Sequence, residues 1–363
     1  MNYRHAFHAG NFADVIKHAV LARILTYLHG KPAAFRVIDT HAGAGLYDLT
    51  SEEAQRGGEW QDGIGRVIDA EFSAEVAALL APYLDIVRAF NVQTDDAQAL
   101  DSKAPDAEAL GEKVADPPAI ARLPFSAPLD KPMRGEAPPR DANRVQGRHK
   151  NAVAGTVVDA PSRAPLRHAS LRAYPGSPLI ARALLRPQDR LIACEMEPGA
   201  HAALINSLYR DEQARVVDLD GWLALNAFVP PSARRGLVIV DPPFEQRNEF
   251  DRYIAAMRQA LQKWPNGTYL LWYPVKDVAR AEAFIAQIAQ AVPDRDKLLR
   301  IEIQIAAPHN ESGLVRTGLL IVNPPWVLER ELALILPALT DVLARDEAAR
   351  FWLERPAASR LKT

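Results

Sequence analysis

The residues best equipped for chemistry stand in one tetrapeptide, Asp241-Pro242-Pro243-Phe244, directly after the apolar run Leu237-Val238-Ile239-Val240. The carboxylate and the first proline's carbonyl are neighbouring hydrogen-bond acceptors. They suit an exocyclic amine on a nucleobase: they can take its two N–H groups while the nitrogen turns toward tetrahedral geometry and attacks an electrophilic carbon. Such an amine is a poor nucleophile because its lone pair is delocalised into the ring. Its alkylated product is acidic, so the carboxylate need not be a strong base. The prolines fix φ and donate nothing to a sheet, which stiffens the loop. Phe244 offers a face for a base drawn out of its stack. A second tetrapeptide of the same shape, Asn323-Pro324-Pro325-Trp326, follows Leu319-Leu320-Ile321-Val322, and both loops cannot be the reactive one.

The elements around these loops must do the positioning. Residues 237–240, with three β-branched side chains, read as a strand buried on both faces, such as a parallel sheet supplies. Open α/β sheets bind ligands beyond the carboxyl ends of their strands, where Asp241 falls. Asp-Pro-Pro with an aromatic resembles the catalytic loop of amino-group methyltransferases that use S-adenosylmethionine. Phe35–Asp39 is an earlier strand, running into Thr40-His41-Ala42-Gly43-Ala44-Gly45, whose small residues permit close approach of backbone to a ligand. That loop lacks the full dinucleotide fingerprint. The strand Leu191–Cys194 ends in Glu195, positioned to accept from a ribose diol. Asp220 and Gly221, one helix later, suit an adenine amine and a close backbone. Ser177-Pro178 predicts a helix start with Ser177 as N-cap and Pro178 at the first helical position. Residues 14–28 predict an amphipathic helix with Lys17 and His18 beside its apolar stripe, near a cleft.

The alternation then runs through Thr268–Tyr273 to two strands, Leu298–Ile305 and Leu314–Val322, with no helix between them. Such a pair requires one antiparallel strand. The expected fold is therefore α/β and Rossmann-like: a seven-stranded, mostly parallel sheet with one antiparallel strand, as in class I methyltransferases, plus an insertion. The domain covers residues 1–94 and 171–345, with a tail at 346–363. Residues 95–170 hold ten of the 28 prolines and, with Phe125 their only aromatic, predict a flexible insertion. The 363 residues carry a net charge of −2, so any RNA footprint must be a local patch. A single cysteine, Cys194, excludes an internal disulfide or a cysteine-cluster zinc site and fits the cytoplasm. No metal and no membrane segment are expected.

The opening Tyr3-Arg4-His5-Ala6-Phe7-His8-Ala9-Gly10-Asn11-Phe12-Ala13-Asp14-Val15-Ile16-Lys17-His18 resembles the amino terminus of the bacterial 23S ribosomal RNA adenine-N6 methyltransferase J family. Residues 39–45, Tyr174-Pro175-Gly176-Ser177-Pro178-Leu179-Ile180-Ala181, Leu271-Trp272-Tyr273-Pro274-Val275 and Asn323-Pro324-Pro325-Trp326 are similar as well. The resemblance implies S-adenosylmethionine as cofactor, S-adenosylhomocysteine as product and 23S ribosomal RNA, protein-free or at an early assembly stage, as partner of a monomer. It implies cofactor contacts at His18, His41, Ser177, Glu195, Asp220, Gly221 and Asp241, with Asp241 also catalytic. Tyr3 and Phe244 would meet the RNA, and the Asn323 loop becomes a family feature distinct from the catalytic one. Phe244 stands where the family commonly has tyrosine, and the insertion is longer than usual. The opening segment is expected to put Tyr3, Arg4 and His5 on RNA while Lys17 and His18 close over the cofactor. A DNA adenine methyltransferase would share Asp241 but needs a target-recognition domain. A dehydrogenase needs the missing glycine fingerprint, and a simple RNA-binding module has no use for the acid.

Overall fold

The protein is described by a computed structural model over residues 4–101, 168–292, 294–308 and 313–356. Tyr3 and residues 102–167, the bulk of the expected insertion, lie outside the described residues. The first helix, α1 (Phe12–Leu28), is capped by the Asn11 side chain, which accepts from the Asp14 amide at 3.0 Å. Strands β1 (Arg36–Asp39) and β2 (Leu46–Asp48) follow, then short helices α2 (Glu52–Gly57) and α3 (Arg66–Asp69). Helix α4 (Ala74–Asp101) leads toward the insertion, and β3 (Ala173–Pro175) is the first strand after it. The chain then alternates as α5 (Ser177–Ala183), β4 (Arg190–Cys194), α6 (Pro198–Ser207), β5 (Ala214–Val217), α7 (Gly221–Phe228) and β6 (Gly236–Val240). It closes with α8 (Glu249–Lys263), β7 (Thr268–Pro274), α9 (Val278–Ala291), β8 (Leu298–Gln304), β9 (Arg316–Val322), α10 (Leu328–Leu343) and β10 (Arg350–Glu354).

One sheet orders these strands β10-β8-β9-β7-β6-β1-β4-β5. β9 runs antiparallel to both β7 and β8, as a strand pair without a crossover requires. The order is that of a class I methyltransferase with one strand added. The addition is β10, antiparallel to β8, so the expected seven strands become eight and residues 350–354 join the sheet instead of forming a separate tail. β2 and β3 pair antiparallel in a small second sheet that periodicity does not indicate. Every residue of β6 is buried. Burial of each large aliphatic side chain stabilises by roughly 1.5–3 kcal/mol, which makes this strand a rigid mount for the Asp241 loop.

Two local expectations are corrected. Only Arg23, Thr26 and Tyr27 of α1 escape burial, so the helix is enclosed on nearly all sides and not amphipathic at a surface. Its polar residues Asp14, Lys17 and His18 are therefore inside and require partners. Helix α5 takes Gly176 as N-cap, and Ser177, already in the helix, caps nothing.

Candidate active site

A cavity of about 1200 Å³ opens beyond the carboxyl ends of β1, β4 and β6. β1 lies between β4 and β6, so the connections diverge there and leave a crevice. His18, His41, Ser177, Glu195, Asp220, Gly221, Asp241 and Phe244 all line this cavity.

Asp241 is held across the site by the first helix. Lys17 Nζ donates to Asp14 Oδ1 at 2.8 Å and to Asp241 Oδ2. Burial opposes the lysine's charge, but Asp14 and Asp241 outweigh it and raise its pKa. Burial likewise pushes Asp14 up, while Lys17 and His5 prevail and hold its carboxyl well below the usual range. Asp14 also accepts from the Gly10 amide at 2.9 Å and hydrogen-bonds His5 Nε2 at 3.0 Å. Lys17 thus steadies the Asp241 carboxylate at the edge of the cavity. His5 joins that network, and Arg4 pairs with Glu53 at the surface.

Phe244 takes φ +50°, a left-handed conformation costly for a bulky residue. Its ring meets Phe250 and Trp272 edge-on at centroid distances of 4.8 and 5.6 Å, and that aromatic contact holds it beside Asp241. The buried Trp272 Nε1 has no hydrogen-bond partner among the described residues.

The other half of the cavity is a cradle of loops. Gly43 and Gly45 adopt φ of +64° and +81°, and a Cβ on Gly43 would strike the Tyr47 hydroxyl. Glu195 Oε2 accepts from the Gly43 amide at 2.8 Å, and its Oε1 accepts from the amides of Met196 and Glu197. The acid therefore anchors the glycine loop and keeps lone pairs to spare. Asp220 caps α7 by accepting from the amides of Trp222 and Leu223. A Cβ on Gly221 would collide with the His41 ring and the Thr40 carbonyl, so the glycine lets two loops close together.

The two histidines are neutral. Burial drives His18 down to about 3, with Asp14 opposing and Lys17 adding to the shift. Burial lowers His41 to about 4. His18 Nδ1 is hydrogen-bonded to the Tyr174 hydroxyl at 2.6 Å, and its buried Nε2 has no partner among the described residues.

Ser177 donates to Asp39 Oδ2 at 2.7 Å. Asp39 is fully buried and its Oδ1 is unpaired among the described residues. Burial pushes its carboxyl up to about 7, with the Ser177 bond opposing and Asp241 reinforcing. Sequence reasoning passes over Asp39 and Asp14 as functional groups. An acid at the end of β1 and the i, i+3 spacing of Asp14 and Lys17 are the available signals. Nothing local points to Tyr174 or Trp272.

A family model described as ribosomal RNA large subunit methyltransferase D, RlmJ, matches residues 32–109 and 164–353. The ribosomal RNA large subunit methyltransferase J of Escherichia coli K12 is 31% identical over 348 residues, covering 94% of each chain. The chain belongs to this methyltransferase family. The Haemophilus influenzae Rd member of the same name is 30% identical over 355 residues, covering 98% of each chain. The crystal structure of the Legionella pneumophila protein LPL1258 superposes with a TM-score of 0.68 at 27% identity, over 96% of this chain and 98% of that one. Membership makes the chain a methyltransferase, in agreement with the sheet order and with the acid at the end of β6. Among the described residues no helix is long and apolar enough to cross a membrane, and no group of three or more His, Cys, Asp or Glu is placed to hold a metal ion.

Proposed function

We propose that the protein transfers the methyl group of S-adenosylmethionine to the N6 amine of an adenine in 23S ribosomal RNA. The observation that carries the reading is the state of Asp241. Lys17 occupies its Oδ2, and Oδ1 has no partner among the described residues beside the cavity. That oxygen and the Pro242 carbonyl can accept the two amine protons, and Oδ1 can take the proton released after transfer. Phe244 lies against the extruded base, with the Trp272 ring edge-on to it for support. Tyr3 would meet the RNA.

The remaining residues fit the cofactor. His18 presents an unpaired buried nitrogen to the cavity, Glu195 retains acceptor capacity for hydroxyls, and the Gly43–Gly45 turn admits a ligand against its backbone. S-adenosylmethionine bound there supplies an electrophilic methyl group. The names of the E. coli and H. influenzae relatives favour large-subunit ribosomal RNA as acceptor. The chain would act in the cytoplasm, as a monomer, on RNA that is protein-free or early in assembly.

The test is methyl transfer from labelled S-adenosylmethionine to protein-free 23S RNA and to duplex DNA, followed by digestion to nucleosides. Label in N6-methyladenosine from the RNA alone is expected. Label on another atom, or equal transfer to DNA, would overturn the reading.

A further inference from the structure

A chain of two hydroxyls reaches His18 and a single hydroxyl reaches His41, and counting their protons decides what each histidine offers. Tyr83 on α4 and Tyr174 on β3 are both fully buried, with hydroxyls 3.0 Å apart. Tyr174 is in turn 2.6 Å from His18 Nδ1. Suppose Nδ1 carried the proton and donated to Tyr174. Tyr174 would then donate to Tyr83, and the buried Tyr83 proton would have no acceptor among the described residues. In the other direction Tyr83 donates to Tyr174 and Tyr174 donates to Nδ1. Both hydroxyl protons are then used, and the imidazole proton must lie on Nε2. Each direction leaves one donor over: the Tyr83 hydroxyl, on a residue away from the cavity, in the first, and His18 Nε2–H, on a residue lining the cavity where a ligand acceptor can meet it, in the second, so the second direction wins. The ring cannot turn away, because Tyr174 stacks on it at 5.6 Å and Tyr83 meets its edge at 6.3 Å.

His41 is set the opposite way. Thr40 Oγ1 lies 2.9 Å from the Ile239 carbonyl and 2.8 Å from His41 Nδ1. A carbonyl oxygen only accepts, so the single hydroxyl proton of Thr40 goes to Ile239. Thr40 must then accept from Nδ1–H, which leaves the lone pair of His41 on Nε2.

We propose that these hydroxyls lock His18 and His41 in opposite tautomers, so that the cavity receives one N–H donor from His18 and one acceptor nitrogen from His41. The pair would read polarity in the bound ligand: His18 takes an acceptor atom such as a carboxylate oxygen, and His41 takes a hydroxyl or amine proton. Tyr174, Tyr83 and Thr40 are positioning residues acting through the histidines. The His18 chain also ties the cavity to the stems of the insertion. Tyr83 lies on the helix before it and Tyr174 on the strand after it. The buried Asn91 staples the two, donating to the Ala173 carbonyl at 2.9 Å and accepting from the Ala173 amide at 2.9 Å. The ligand side of the inference rests on the cofactor reading above; the tautomers do not.

The experiment is nitrogen NMR on the full chain labelled with ¹⁵N-histidine, ligand-free and with S-adenosylhomocysteine, with signals assigned through single His→Gln variants. In the ligand-free protein His18 should carry its proton on Nε2 and His41 on Nδ1. Tyr174→Phe should mix the tautomers of His18 alone and weaken S-adenosylhomocysteine about tenfold, the loss of one hydrogen bond to the ring. Thr40→Val should do the same at His41 alone, and Thr40→Ser should restore it. Tyr83→Phe should change less than Tyr174→Phe, because Tyr174 can still donate to the ring. The same tautomer at both histidines in the wild type overturns the proposal, and so does an unchanged His18 spectrum in Tyr174→Phe. If the wild type shows the two tautomers yet fails to bind S-adenosylhomocysteine, the tautomer assignment stands and the cofactor reading falls.

Discussion

Two loops of this molecule share a shape, Asp241-Pro242-Pro243-Phe244 and Asn323-Pro324-Pro325-Trp326, and differ in everything that matters for chemistry. Each follows a buried strand. β6 runs with the parallel set, so its loop opens on the cavity. β9 runs against its neighbours, so its loop emerges at the opposite end of the sheet. There Asn323 donates to the carbonyls of Pro265 and Gly267 at 2.9 and 2.6 Å and serves as a structural clasp. Both loops contain a left-handed residue, Phe244 in one and Asn323, at φ +52°, in the other. Asparagine tolerates that region with little strain, whereas phenylalanine needs its aromatic neighbours to hold it there. Trp326 is 77% exposed, while Phe244 is packed among aromatic rings. Strand direction, not the tetrapeptide, separates a loop that opens on the cavity from a clasp.

The largest effect that could break this contrast is at the acid. Asp241→Ala should lower methyl transfer by about 10²–10⁴-fold while the protein remains folded, because the residue is at a strand end and Lys17 keeps Asp14 as partner. Single-turnover rates decide, and a variant within tenfold of wild type would erase the distinction between the loops.

The next concerns the carboxyl end of the sheet itself, where Asp39 is the buried acid. Its carboxyl is pushed up to about 7 by burial, against an ordinary value of 3.8 in the unfolded chain. The folded chain therefore holds a proton that the unfolded chain has lost. The stability tied to that proton is complete below the unfolded value and is lost as pH rises through about 7. Asp39→Asn should remove this loss, and its advantage in urea melts should grow between pH 5.5 and 8.5 to the order of 2–4 kcal/mol. A pH-independent difference would mean that Asp39 is charged and paired in the folded state.

At the other end of the sheet, Asn323→Ala should cost about 1–3 kcal/mol of stability by stranding two carbonyls and straining the backbone, with the transfer rate nearly unchanged. Equal losses of rate in this variant and in Asp241→Ala would contradict separate roles. Trp326→Ala should have the smallest effect, within about 0.5 kcal/mol by thermal melting, because an exposed ring removes little area from water on folding.

Much of the fold was legible from local pattern. Runs such as 237–240 and 319–322 announced buried strands, and the adjoining strands before Val322 required an antiparallel member. Acids at strand ends marked Glu195 and Asp241. Other features were not legible, each for a definable reason. Ser177 carries the local signature of a cap, yet Asp39, 138 residues away in sequence, takes its hydroxyl. The apolar pattern of α1 suggested one solvated face, but helices from distant parts of the chain cover that face. β10 lies beyond the last alternation and joins an edge only because β8 leaves one unpaired.

By itself the sequence determined which residues can do chemistry and which short segments must be strand, helix or turn, because propensity and periodicity act over a few residues. Tertiary structure alone set the Asp241 loop on the cavity at the carboxyl ends of β1, β4 and β6. It also brought Lys17 to Asp241 across 224 residues and ran the hydroxyl chain from Tyr83 through Tyr174 to His18. Those pairings depend on the order and direction of strands, which settle only when the whole core is buried at once.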